Sequence, residues 1–149
     1  SGMVDVLKDS DIAYCLMHNR YINTPKRDEA TLTIDDINQS ISEKLLLLKD
    51  NGGSNTIIID PGIGFGKSNE DDVMILKNIS ALHVHGYNIL LAASNKSVID
   101  YVTPLNKEDR LEGTLAITAH AFFNNINYVR VHDVKSNMRL LKMLEAMKG

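Results

Sequence analysis

Asp60, Lys96, Arg130 and His132 are residues whose types invite chemistry, and each stands at or near the point where an apolar run gives out. Asp60 follows Thr56-Ile57-Ile58-Ile59, which reads as a strand buried on both faces. Pro61 stops the ladder, and Gly62, Gly64 and Gly66 permit a tight path that can come close to a bound group. Phe65 and Lys67 add a flat apolar face and a cation within the same loop. Lys96 lies in Ser94-Asn95-Lys96-Ser97, after the run Tyr87 to Ala93. Arg130 and His132 are two apart, hence on one face of a strand over Ile126 to Val131, and offer a fork of donors and an imidazole to an anion such as phosphate. Met17-His18 closes a fourth run, Ile12 to Met17.

Plainer readings stand beside these. The glycines do not match the G-x-G-x-x-G dinucleotide spacing, and Gly62-Ile-Gly-Phe-Gly-Lys-Ser closes one residue too soon for a phosphate-binding P-loop. A flexible βα connection with a capping aspartate would use the same residues. Asp60, as an acceptor-only carboxylate, could take two hydrogen bonds from an aminopyrimidine-like edge. Lys96 could be a solvated amine, and Arg130 could pair with Asp133 or Asp60. His83 and His85 lack the further ligands that zinc requires, so no metal site is expected there. His120, Met138, Met143 and Met147 read as packing residues, and Cys15 as a buried, inert thiol.

The elements that must position these groups alternate. Val4 to Asp9 looks like the end of a helix; Asn19 to Thr33, with Pro25, reads as a polar loop. Thr33 or Asp35 can cap a helix to Asp50 with Ile34, Ile37, Ile41, Leu45 and Leu48 on one face, ended by Asn51-Gly52-Gly53. Ser68 or Asn69 starts a second helix, Asp71 and Asp72 favouring its positive end and Val73, Leu76, Ile79 and Leu82 facing inward, with Gly86 as its stop. Val98 to Asp109 reads as loop or short turns, and a small-residued helix runs from Lys107 or Leu111 to about Asn124, able to lie close to a sheet. Ser136 can cap a final helix to Lys148. Strand and helix repeated four times predict an α/β fold with a parallel sheet and right-handed crossovers, its carboxyl strand ends on one rim. Met17-His18, Asp60 with Phe65, Ser94 to Ser97, and Arg130 with His132 would then converge there.

At 149 residues the chain fits one domain, spanning 1–149, with Ser1-Gly2 set aside as a tag remnant. Residues are 44% hydrophobic but only 5% aromatic, so the core must be aliphatic. A net charge of -3 argues against a nucleic-acid binder. No apolar run reaches a membrane span and no signal peptide opens the chain, so a cytoplasmic location is expected, in keeping with one cysteine.

Taken together, Met17-His18, the Asp60-Pro-Gly-Ile-Gly-Phe-Gly-Lys67 stretch, Ser94-Asn-Lys-Ser97, Arg110-Leu-Glu-Gly-Thr-Leu-Ala116 and Arg130-Val-His-Asp-Val134 resemble dihydropteroate synthase, the folate-pathway enzyme and sulfonamide target. The resemblance covers nearly the whole chain and implies a TIM-type (β/α)8 barrel, of which these four βα units look like the last four. It implies condensation of 6-hydroxymethyl-7,8-dihydropterin diphosphate with p-aminobenzoate, giving dihydropteroate and pyrophosphate. By position, Asp60 resembles the carboxylate that holds the pterin, Lys96 the lysine at the reaction centre, and Ser97 and Phe65 the lining of the p-aminobenzoate site. Met17 and Arg130 would pack on the pterin, and Arg130 and His132 would bind the diphosphate.

Asn95 stands where the family usually has Arg, which would weaken p-aminobenzoate binding. The family's Mg2+ is implied as a cofactor, but its asparagine ligand belongs to the half not matched here. Half a barrel leaves two open edges and an uncovered apolar face, so a homo-oligomer, or pairing with a missing N-terminal half, is expected. Two readings remain: the C-terminal half of a dihydropteroate synthase, incomplete for catalysis alone, or a non-catalytic pterin-binding or assembly module akin to methyltetrahydrofolate-binding barrels.

Overall fold

The computed structural model describes residues 12–20, 31–50 and 56–148. The expected helix at Val4 to Asp9, most of the loop around Pro25 and the Asn51-Gly52-Gly53 stop lie outside the described residues. Four parallel strands, β1 (Tyr14–Met17), β2 (Ile57–Asp60), β3 (Asn88–Leu91) and β4 (Tyr128–Val129), form one sheet in that spatial order. The connections carry α1 (Ile34–Asp50), α2 (Asn69–Lys77) with a 3-10 turn Ile79–His85, α3 (Ser97–Val102), a 3-10 turn Lys107–Asp109, and α4 (Leu111–Phe123); α5 (Val134–Lys148) follows β4. Alternation of strand and helix thus gives the expected parallel α/β architecture, with β1 and β4 as its edges.

α1 forms because Ile37, Ile41, Leu45 and Leu48 fall at spacings of four, four and three and are all buried. Burying each contributes about 2 kcal/mol. Its start is a reciprocal cap: the Asp36 backbone N–H donates to Thr33 Oγ1 (3.2 Å) and the Thr33 N–H to Asp36 Oδ2 (2.9 Å). Gly86, at φ 69°, ends the 3-10 turn in the left-handed region.

Among the described residues the sheet is more fully covered on one side than on the other. Leu16, Ile57, Ile59, Ile89 and Leu91 are buried beneath the helices, whereas Ile58 and Leu90 on the opposite face are half-buried. β2 is therefore not buried on both faces as its apolar run suggests. Cys15, paired across from Ile58, is exposed rather than buried, because alternation along β1 turns Leu16 to the helices and Cys15 to the open side.

Four further expectations are corrected. Val98 to Asp109 contains the end of a helix, α3, that starts at Ser97 with Lys96 in the N-cap position but with no side-chain cap. Gly113 of α4 serves helix packing rather than approach to the sheet, since a Cβ there would overlap Ile99 of α3. α5 is capped by Asp133, not Ser136, since the Asp133 carboxylate accepts the Ser136 backbone N–H and hydroxyl, each at 2.8 Å. Met138, Met143 and Met147 are exposed, because the buried line of α5 passes through Asn137 and Leu144.

Candidate functional site

Asp60 ends β2 opposite Met17 of β1, and that register brings the β1 and β2 tips together. The Asp60 carboxylate is buried and its Oδ1 accepts the Gly62 N–H at 2.7 Å, an Asx turn that starts the glycine loop. Gly62 and Gly64 take φ of 69° and 75°, which disfavours side chains, and a Cβ on Gly62 would overlap the His18 carbonyl oxygen. The loop must therefore be glycine to pass beneath β1.

Lys67 locks that loop and is not a free cation. Its ammonium donates to the carbonyls of Gly62 (2.8 Å), His18 (3.1 Å) and Phe65 (3.2 Å), using all three of its donors. Burial holds its pKa down to about 8, against the neighbouring Asp72 and Asp60 carboxylates. His18 donates its backbone N–H to Asp60 O at 2.9 Å, while its imidazole is buried with Nδ1 unpartnered among the described residues. Burial, reinforced by Lys67, pushes that imidazole down to about 4, so it is neutral near pH 7.

Lys96 reaches this loop from the β3 tip. Its ammonium donates to the Ile63 carbonyl and sits 4.5 Å from the Phe65 ring centroid, a cation–π contact. Burial lowers its pKa, with Asp60 pulling the other way. Burial raises the Asp60 pKa, and the Gly62 N–H, Lys96 and Arg130 oppose that rise. Asp60, Lys96 and Arg130 therefore lie within electrostatic reach of one another on one rim. Phe65 is 38% exposed, leaving ring surface for a planar ligand. Met17 is half-buried beside Asp60.

Arg130 and His132 are held in different ways. β4 stops at Val129; the Arg130 N–H still donates to Leu91 O at 3.0 Å, but its side chain is exposed, unlike that of a buried strand residue. His132 lies beyond the strand, where Ser94 Oγ accepts its backbone N–H at 3.2 Å and lies 3.0 Å from Nδ1. It borders a groove with Ser94, Asn95, Thr114, Asp133 and Lys135 that Arg130 does not line. Ser97 is exposed at the start of α3. Neither Asp133 nor Asp60 forms an ion pair with Arg130 among the described residues. His83 and His85 bond elsewhere, to Asn124 O (2.9 Å) and Asn38 Oδ1 (3.0 Å).

Sequence reasoning placed Ser94 on the rim and Arg110 in a matching stretch without giving either a task, and read Asp72 only as a helix-dipole partner. Asp72 is 1% exposed, and its Oδ1 accepts the Gly64 N–H at 2.9 Å. The signal was present: Asp72, Ile75, Ile79 and Leu82 form the buried stripe at spacings of three, four and three, whereas Val73 and Leu76 are only half-buried. Arg110 donates to Asn95 O at 3.1 Å, and Thr114 Oγ1 accepts the Asn95 N–H at 3.1 Å, bracing Asn95 at φ 57°. No spacing rule reveals that brace. Among the described residues no group of three possible metal ligands occurs, and no helix is long and apolar enough to cross a membrane.

Comparison with known proteins matches this chain to the family described as pterin binding enzyme, over residues 1–132. A dihydropteroate synthase from Clostridium beijerinckii is 38% identical over 145 residues, 96% of this chain and 52% of the relative. A Clostridium difficile dihydropteroate synthase, solved in the presence of pteroic acid, superposes with TM-score 0.86 at 33% identity, covering 98% of this chain and 54% of that one. The Xanthomonas albilineans enzyme, solved with 4-aminobenzoic acid, gives TM-score 0.89 at 27% identity, covering 99% and 54% respectively. The chain thus spans about half the length of the relatives it matches.

Proposed function

Because the chain belongs to the pterin-binding enzyme family, we propose that it carries the pterin and leaving-group half of a dihydropteroate synthase site. The reaction is condensation of 6-hydroxymethyl-7,8-dihydropterin diphosphate with p-aminobenzoate, in the cytoplasm. The p-aminobenzoate nitrogen forms a bond to the pterin methylene as the carbon–oxygen bond breaks; pyrophosphate leaves with the electron pair and the nitrogen loses a proton. The observation that carries this reading is the shared rim: Asp60 ends β2, Arg130 directly follows β4, and Lys96 crosses from the β3 tip to the glycine loop and the Phe65 ring.

Each residue then has a physical task. Asp60, with Oδ1 already turned by Gly62, accepts N–H groups of the aminopyrimidine edge. Met17 packs against the pterin, and Phe65 and Ser97 border the p-aminobenzoate ring. Lys96 supplies a half-buried ammonium near the reacting carbon. Arg130 and His132 receive the negative charge that grows on the departing diphosphate, the developing charge that fixed cationic donors stabilise best. Magnesium is implied by the resemblance alone, and its asparagine ligand would come from the half of the barrel that this chain does not match.

The open sheet face must be covered for turnover, by a second copy of the chain or by the other half of a barrel. Sedimentation at micromolar concentration distinguishes these: a dimer supports the first, a monomer the second. Calorimetric titration with a dihydropterin tests the site itself. Binding by the wild type that is lost in Asp60→Ala is expected; unchanged binding in that variant removes Asp60 from the pocket. Pyrophosphate release by the chain alone would overturn the view that it is half of a catalytic unit.

A further inference from the structure

We propose that Asp72 is a positioning residue that sets Lys96 through the glycine loop, an inference that deepens the proposed pterin site and rests on it only for its consequence. Lys96 is held by two residues of that loop: its ammonium donates to the Ile63 carbonyl and stacks on the Phe65 ring. Gly64 is the residue between them. Its N–H is held by Asp72 Oδ1 at 2.9 Å, and a Cβ on it would lie 3.3 Å from Lys96 Cδ, so the loop backbone is the floor under the lysine stem. One buried carboxylate therefore fixes the centre of the three-residue seat. Asp72 itself cannot wander, because it stands in the first turn of α2 on the same inward stripe as Ile75 and Ile79, both fully buried.

The second carboxylate oxygen distinguishes this role from ordinary capping. Asp71, its neighbour, spends its side chain on the Ser68 N–H (3.0 Å) and on Arg20 (3.0 Å), which closes the helix start. Asp72 Oδ2 is buried with no hydrogen-bond partner among the described residues. Only Oδ1, the oxygen aimed at Gly64, makes a hydrogen bond among the described residues, while the charge of the carboxylate also favours the ammonium forms of Lys67 and Lys96. A side chain that keeps one acceptor at that point should still hold Gly64, which makes asparagine the conservative replacement.

The test reads Lys96 without a ligand. The wild-type chain, Asp72→Ala and Asp72→Asn are treated with an amine-acylating anhydride, and modification of Lys96 is followed by mass spectrometry. At least a fivefold faster acylation of Lys96 is expected in Asp72→Ala, with Asp72→Asn, which loses the charge but keeps the acceptor, at least threefold slower than Asp72→Ala. Equal rates in all three, or Asp72→Asn as fast as Asp72→Ala, overturns the proposal. If Asp72→Ala does not fold, hydrogen exchange on the wild type decides: a Gly64 amide protected at least tenfold is expected, and an unprotected one overturns the inference. Dihydropterin titration of the same proteins separates this from the functional reading. Faster acylation of Lys96 in Asp72→Ala, with no dihydropterin binding even by wild type, would leave Asp72 as the lysine's positioning residue and sink the pterin site.

Discussion

Two stretches of the rim carry similar amounts of chemistry and are built in opposite ways. Asp60 to Lys67 is held from every side: by the Asx turn at Asp60, by Lys67 across three carbonyls, and by Asp72 at Gly64. Arg130 to Asp133 hangs from a two-residue strand; Arg130 is exposed, and the His132 side chain is held to a single neighbour, Ser94. The difference teaches which part of the proposed reaction is preorganised within this half. The surface that would grip a flat heterocycle is rigid. The surface that would receive the leaving anion is tethered lightly, at a strand that forms the edge of the sheet among the described residues.

The comparison breaks first at Gly62. Gly62→Ala forces a Cβ into the His18 carbonyl at a left-handed φ, and is expected to cost about 4 kcal/mol, read as a lowered urea midpoint. Gly86→Ala shares the φ but meets open space, so about 1 kcal/mol is expected there. Comparable losses at the two glycines would show that strain alone, not close passage beneath β1, dictates the loop. Lys67→Met comes next. It strands carbonyls of Gly62, His18 and Phe65, and a loss of about 3 kcal/mol by chemical denaturation is expected, whereas a near-neutral effect would mean that water replaces the ammonium.

A smaller effect is expected on acidification. His18 has a folded pKa near 4 against 6.5 for the free side chain, so between those values the unfolded chain binds more protons. Stability then rises with pH across that window and is lost as pH falls. Between pH 7 and pH 5 the loss from His18 is about 2 kcal/mol. Asp60 and Asp72, with raised pKa values, contribute in the opposite direction as they protonate, so the measurement is the difference between wild type and His18→Asn. Going from pH 7 to pH 5, the stability of the wild type relative to His18→Asn is expected to fall by about 2 kcal/mol; parallel curves would mean that the imidazole is solvated and the β1 tip looser than its contacts imply.

The legible part of the molecule is the part written in periodicity. The stripe Ile37, Ile41, Leu45, Leu48 and the apolar runs ending at Met17 and Asp60 were enough to give a parallel α/β sheet and to bring four strand tips to one rim. What could not be read depends on partners distant in sequence. Cys15 is exposed because no described helix covers its face of the sheet, and an apolar run does not tell which face is covered. Lys67 looked like a free cation because its three acceptors come from three separate residues, one of them in β1's extension. Asp72 was hidden by its type: an aspartate in a first helical turn is ordinarily a dipole partner facing water, and here it points inward. Asp133 and Ser136 both suit a cap, and only the geometry of the turn after β4 decides between them.

The weakest stretch is tested by the smallest perturbation. Arg130→Ala removes an exposed guanidinium that makes no ion pair among the described residues, so stability should change by less than about 0.5 kcal/mol. The expected consequence lies in recognition. Affinity for a dihydropterin should stay within about twofold, since Asp60 and the locked loop are untouched, while affinity for the pterin diphosphate should fall about tenfold, one charge-assisted contact. Because that contact is exposed, raising the salt concentration should shrink the gap between the two ligands. Should Arg130→Ala instead weaken both ligands equally, the guanidinium would belong with Asp60 as part of the heterocycle's grip. The leaving anion would then rest on His132 alone, and the division between a rigid and a loosely held half of the rim would no longer coincide with the division between the two substrate parts.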